Sequence, residues 1–113
     1  MEHVMFVINN TPESDEPIGQ ARDAIKAWLD EVEPVRRFGA RLRPPADSTV
    51  VRVRGGEVIV TSGPFAEADE WIGGFDVLDV DGIDRAVELA AQHPGADGGR
   101  VEVRASWPFE PEV

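Results

Sequence analysis

The groups able to do chemistry are few, and the first is Ser62-Gly63-Pro64-Phe65, inside the stretch TSGPFAEADEWIGGF between two apolar runs. Gly63 would let a ligand approach the backbone closely. The same Gly-Pro step could equally end a strand, with Phe65 plugging the core. A serine nucleophile needs a base within hydrogen-bond reach, and the chain has two histidines, His3 and His93. His93 ends a helical pattern, where a protonated imidazole suits the helix dipole, so capping is its expected role. His3 leads into the first strand and is expected at a sheet edge or a subunit interface. Glu67, Asp69 and Glu70 could share acid-base work if burial separated their pKa values. With 22 acidic residues in the chain, a solvated face is the default.

Other side chains bear on binding. Arg36, Arg37, Arg41, Arg43, Arg52 and Arg54 are six of the eleven basic residues, in a stretch whose only acid is Asp47. Arg37, Arg41, Arg43 and Arg52 could form an anion patch on neighbouring strands, or simply be the outward positions of edge strands. Trp28, Trp71, Phe75 and Phe6 could wall an aromatic ligand, although each also falls on a face that must be buried. The candidate cleft is therefore Ser62, Gly63, Pro64 and Phe65 with Phe75 and Trp28. Asp79-Val80-Asp81-Gly82 lacks the third oxygen ligand and the distal Glu of a calcium loop. No metal and no organic cofactor are expected.

The elements that must position these groups follow from periodicity. HVMFVIN, residues 3–9, is apolar on both alternating faces, as a central strand covered on both sides would be. Ile18, Ala21, Ile25, Trp28, Leu29 and Val32 recur at helical spacing, with Ser14 or Asp15 as cap, Pro17 in the first turn, and a stop before Glu33-Pro34. VRRFGARLR, residues 35–43, alternates as a half-buried strand ended by Pro44-Pro45. VVRVR-GG-EVIVT is a hairpin whose Gly55-Gly56 turn sets Arg54 opposite Glu57, Val53 opposite Val58, Val51 opposite Val60 and Thr49 opposite Ser62. Ser62 then shares a side with four valines and is expected to look inward. GFDVLDV, residues 74–80, is again apolar on both faces. A second helix follows from Ile83 to about Gln92, capped by Asp81, and RVEVR at 100–104 alternates as a last strand.

With the hairpin set aside, the order is strand, helix, strand, strand, helix, strand. This α+β order is the ferredoxin-like βαββαβ arrangement. Its helices cover one sheet face, so a second apolar face calls for another cover, most simply the sheet of a symmetric partner in a homodimer.

The chain's 113 residues make one domain, 1–113, able to bury roughly two-thirds of its unfolded surface, with a flexible tail over 106–113. A net charge of −11 disfavours nucleic acid and anionic membranes. The absence of cysteine rules out disulfides and thiolate chemistry and fits a reducing cytoplasm. The start MEHVMFVINN lacks the basic opening of a signal peptide, and no stretch reaches membrane-spanning length.

VRGGEVIVTSGPFAEADEWIGGFDVLDV, followed after the second helix by RVEVR, resembles the YCII-related family, in particular its branch named for an Asp-Gly-Pro-Phe signature. The likeness covers residues 48–105 well and the first half by pattern. It implies a ferredoxin-like fold, a dimer of the dimeric α+β barrel kind with a cleft between sheet, helices and partner, and an acid-base site formed by a His in the first helix and an Asp. This sequence departs at both points, since residues 17–32 hold no histidine and Ser62 stands where the signature has aspartate. Two readings stay open beside a third class, a protein-interaction module whose acidic surface could meet a basic partner. One is a small-molecule-binding or accessory dimer that lacks the family's pair. The other is a small dimeric α+β barrel enzyme, an isomerase or lyase acting on a small carbonyl or aromatic acid, with His3, His93 or a loop carboxylate as base.

Overall fold

β1 (Glu2–Asn9) and β5 (Trp71–Asp79) are the two runs apolar on both faces, and they lie side by side at the centre of a four-stranded sheet. The computed structural model describes residues 1–10, 19–66 and 68–110. Around that central pair the chain adds α1 (Gly19–Val32), β2 (Arg36–Arg41), the hairpin β3 (Thr49–Arg54) and β4 (Glu57–Ser62), α2 (Ile83–Ala91) and β6 (Arg100–Ala105). The strand order is β2-β5-β1-β6, and every pairing in it is antiparallel. This is the ferredoxin-like order, with β3 and β4 as a separate two-stranded sheet.

Ile25, Trp28, Leu29 and Val32 recur at the helical period and give α1 one apolar stripe. Trp28 and Val32 are buried by it. The helix stops at Val32, before the Glu33-Pro34 step that disfavours helical backbone. The expected caps Ser14 and Asp15, with Pro17, lie outside the described residues. In α2 the N-cap is Gly82, without a side-chain cap, so Asp81 does not serve as the sequence implies. The core forms where both helices meet one sheet face: Met5 and Leu78 from the central strands pack with Trp28, Val32, Ala86 and Leu89.

The opposite sheet face carries Val4 beside Val77, Phe6 beside Phe75, and Phe38 and Ala40 from β2. Phe38 stacks at a tilt on Phe75, ring centroids 5.8 Å apart, yet stays 61% exposed. Arg104 lies over the Phe6 ring at 5.4 Å. This face is apolar and half-exposed at its centre, with Glu102 and Arg104 of β6 along one side.

The hairpin keeps the register read from its Gly-Gly turn, from Thr49 opposite Ser62 to Arg54 opposite Glu57. Gly55 and Gly56 have φ of 58° and 80°, the paired positive values of a type I′ turn, which residues with a Cβ rarely adopt. The orientation differs from expectation. Val51, Val53, Val58 and Val60 are exposed, and Ser62 beside them faces solvent rather than an interior. Alternation fixes which residues share a side, while what covers that side depends on where the hairpin lies, and here it joins no strand of the main sheet. Phe65 is likewise 91% exposed and plugs no core.

Candidate functional site

Three chain segments converge under the helices on one polar cluster. From β5, Asp76 projects onto the helix face two residues from the core residue Leu78, and it is buried. From β2, Arg36 donates from Nε to Asp76 Oδ1 at 2.7 Å. A bulge in the β2–β5 pairing between Arg36 and Phe38 re-aims the strand and sets Gly39 directly opposite Asp76. A Cβ at Gly39 would fall 2.3 Å from Asp76 Oδ1, 2.5 Å from Arg36 Nη2 and 2.7 Å from the Phe75 carbonyl oxygen. The ion pair lies across the place where a side chain would be, so glycine there is a requirement of the pair.

The third segment follows α2. His93 is buried, and its ring meets the Trp28 indole edge-on with centroids 4.7 Å apart. Its Nδ1 accepts from the Gly95 backbone N–H at 2.8 Å, capping the 3-10 turn Pro94–Ala96. A neutral imidazole that accepts at Nδ1 carries its proton on Nε2. Burial lowers the His93 pKa below 6.5, with the Asp76 charge acting in the opposite direction, so the ring is neutral near pH 7. It is therefore not the protonated C-terminal cap that its place after a helix implies. The same burial raises the Asp76 carboxyl, and the hydrogen bond and charge of Arg36 offset part of that rise.

These groups border a cavity of about 490 Å³. Its walls are mostly apolar, with Val7, Ile25, Trp28 and Leu29 on one side and Ala40 and the Phe75 segment on another. Asn9 adds an amide at the rim, and a Cβ at Gly73 would sit 2.2 Å from its Nδ2, so this glycine also makes room for a polar side chain. A cavity with apolar walls and a few convergent polar groups is the usual form of a small-molecule site. It offers donors in His93 Nε2–H, the Arg36 guanidinium and the Asn9 amide, and a carboxylate acceptor in Asp76. No group of three or more His, Cys, Asp or Glu able to hold a metal occurs among the described residues.

Of the residues singled out from sequence, Trp28 and Phe75 border this cavity, and Arg41 does so from β2. Pro64 and Phe65 border a different hollow, about 1050 Å³, with Leu42, Pro44, Trp71 and Ile72. The carboxylates there, Asp47, Asp69 and Glu70, are exposed. Ser62 and Gly63 border neither hollow. The four arginines are spread out. Arg37 pairs with Asp79 at 2.6 Å, Arg43 pairs with Asp47 at 2.9 Å and lines the larger hollow, Arg41 lines the cavity, and Arg52 rides on the hairpin. His3 is buried within the central strand β1, neither at an edge nor exposed. Sequence reasoning passed over Asp76, Gly39 and Asn9, and met Arg36 only as one of six clustered arginines. The available signal was Asp76 itself, a charged residue sharing an alternating face with Leu78 and Val80.

The sequence model of the YCII-related domain matches residues 1–110. The chain belongs to the YCII-related family. An uncharacterised protein of Rhizobium meliloti (strain 1021) is 36% identical to this YCII-related chain over 74 residues, 64% of the chain and 60% of that protein. The matched part thus spans about three-fifths of that relative's length. In this family member the titratable pair in the cavity comes from β5 and from the segment after α2, and the helix α1 supplies apolar wall.

Proposed function

We propose that this YCII-related chain is a small-molecule-binding protein, a homodimer of the Asp-Gly-Pro-Phe branch with Ser62 in the signature's aspartate position. Its ligand site is the cavity bordered by His93, Asp76 and Arg36. The observation that carries this reading is the convergence of those three polar groups on one otherwise apolar cavity of about 490 Å³. Its polarity is fixed: His93 presents Nε2–H because Gly95 holds Nδ1, and Arg36 holds Asp76 in place. Such preorganised donors and acceptors orient a ligand at little cost in side-chain entropy. The chemistry they fit is a small compound with an apolar body and an acceptor oxygen for His93 or Arg36. The open apolar face at Phe38, Phe75 and Val77 fits the sheet of a second copy.

The test is calorimetric titration with a panel of small organic acids, alcohols and amides. A binder to the wild type is expected to lose at least about tenfold in affinity on His93→Phe or Asp76→Asn and to be unaffected by Ser62→Ala. Unchanged affinity in both cavity variants would sink the reading.

A second reading, an isomerase- or lyase-type enzyme, draws support from one feature. Burial raises the Asp76 carboxyl above its ordinary value against the opposing pull of Arg36, the direction a general base needs. His93 is a poorer base, since its Nδ1 lone pair is engaged and its Nε2 carries the proton. In this reading Asp76 takes the proton while His93 and Arg36 donate to the developing oxyanion. Turnover of a bound compound that disappears in Asp76→Asn, with affinity largely kept, would favour it over binding alone.

A further inference from the structure

Two polar atoms beside the cavity are left without a partner. Asp76 accepts from Arg36 Nε through Oδ1, and its Oδ2 has no hydrogen bond among the described residues. His93 uses Nδ1 on the Gly95 N–H, which leaves its Nε2–H free. Every fully buried side-chain nitrogen or oxygen among the described residues is hydrogen-bonded, so these two atoms are reached from outside the core. His93 and Asp76 keep only 7% and 8% exposure, and the opening both residues border is the cavity. An acceptor and a donor, each on a residue more than nine-tenths buried, therefore face one space. They are close enough that the Asp76 charge acts on the imidazole. The space itself exists because the sheet is bare there: Gly74 shares the helix-facing side of β5 with Asp76 and Leu78, and Gly39 lies opposite Asp76. Ile25, Trp28 and Leu29 of α1 add the apolar wall.

We infer that this site selects a neutral ligand presenting an N–H or O–H donor beside an acceptor oxygen, an amide on an apolar ring being the simplest case. The inference rests on the ligand-site reading above and adds the charge and the donor pattern of the ligand. Charge comes first. The Arg36 guanidinium is already answered by Asp76 at 2.7 Å, so the pair offers a ligand no net charge. Arg41, which also borders the cavity, is exposed and has an interaction of its own. A carboxylate entering here gives up its hydration next to Asp76 without gaining an unopposed cation, and an ammonium does the same next to Arg36. The donor pattern follows from the unpartnered atoms. A ketone accepts from His93 Nε2–H but leaves Asp76 Oδ2 cut off from water and unpaired, and an unmade bond to a charged group is the costlier fault. An amide answers both, its carbonyl accepting from His93 Nε2–H and its N–H donating to Asp76 Oδ2.

Four probes of one ring and similar size separate these cases: benzamide, acetophenone, benzoate and benzylamine. Their affinities for the intact chain at neutral pH are measured by titration calorimetry, and backbone-amide NMR locates each one. Benzamide is expected to bind at least about tenfold tighter than any of the other three, with shifts at Gly39 and Gly95. In Asp76→Asn, Arg36 Nε still requires an acceptor, so the side-chain oxygen stays on its side and the NH2 group faces the cavity where Oδ2 was. The preference should then invert, with acetophenone binding at least as tightly as benzamide. If that variant does not fold, the four wild-type affinities decide alone. Acetophenone, benzoate or benzylamine binding in the cavity as tightly as benzamide overturns the inference and leaves the cavity standing as the ligand site. A benzamide preference that survives Asp76→Asn unchanged overturns it too. Binding of none of the four, or shifts confined to Phe65 and Trp71 around the other hollow, overturns the site and the inference together.

Discussion

Gly39→Ala is the substitution that most directly probes the Arg36–Asp76 pair. The new Cβ would lie 2.3 Å from Asp76 Oδ1 and 2.5 Å from Arg36 Nη2, and also 2.7 Å from the Phe75 carbonyl oxygen. Asp76 Oδ1 and the Arg36 guanidinium can move only by disturbing the hydrogen bond that Arg36 Nε donates to Asp76 Oδ1, and the carbonyl belongs to a central strand and can move little. Overpacking of this kind costs roughly 1–3 kcal/mol. Losing one partner of a buried ion pair costs roughly 3–5 kcal/mol. The side chains of Arg36 and Asp76 keep 30% and 11% exposure, which places the electrostatic part at or below the low end of that range. A net loss of about 3 kcal/mol is expected, equivalent to about 10 °C in melting temperature for a domain of this size. Urea unfolding measures it. Gly82→Ala is the control, because a Cβ there meets nothing within 4 Å, and it should cost less than about 1 kcal/mol. In an Asp76→Ala background the Gly39→Ala penalty should shrink by about 1 kcal/mol or more, leaving the part due to the backbone carbonyl and the Arg36 guanidinium. A Gly39→Ala protein within about 0.5 kcal/mol of wild type would refute the reasoning that the pair dictates the glycine.

Other expectations follow from single contacts. The His93 imidazole should titrate below 6.5 with its proton on Nε2, as read by nitrogen-detected NMR. Because its folded pKa is depressed, its contribution to stability is complete above pH 6.5 and declines as pH falls through the folded pKa. Asp79 accepts from Arg37 and from the Met1 ammonium and should titrate at about 2 by carboxyl carbon NMR. A midpoint near 3.8 would mean those contacts are not kept in solution. Trp28→Phe removes the indole N–H donated to the Leu89 carbonyl at 2.8 Å and should cost about 1–3 kcal/mol in urea unfolding. Met5→Ala, at a fully buried position in the central strand, should cost about 2–5 kcal/mol.

How much of this was legible in the sequence varied with the range of the interaction. Double-faced apolar runs marked β1 and β5 as central because that pattern depends only on what each strand must bury. The hairpin register followed from Gly55-Gly56 because a two-residue turn leaves no freedom. Orientation of the hairpin's valine face was not legible, since alternation groups residues without saying where a separate sheet will lie. The site was harder still. Asp76, Arg36 and His93 come from three elements far apart in sequence, and His93 at a helix end looks like a capping residue until the fold buries it against Trp28. Ser62 drew attention because it occupies a signature position, whereas Asp76 stood unremarked in an apolar strand where a charge has to be answered by another.

We propose the cavity beside His93 and Asp76 as the ligand site. Protein-observed NMR with a fragment set of small acids, amides and alcohols tests it most directly. Shifts are expected at the amides of Gly39, Gly73 and Gly95 and at the Trp28 indole, with a change in the His93 ring nitrogens. Shifts concentrated instead at Phe65 and Trp71 around the other hollow, or no shifts at all, would contradict it.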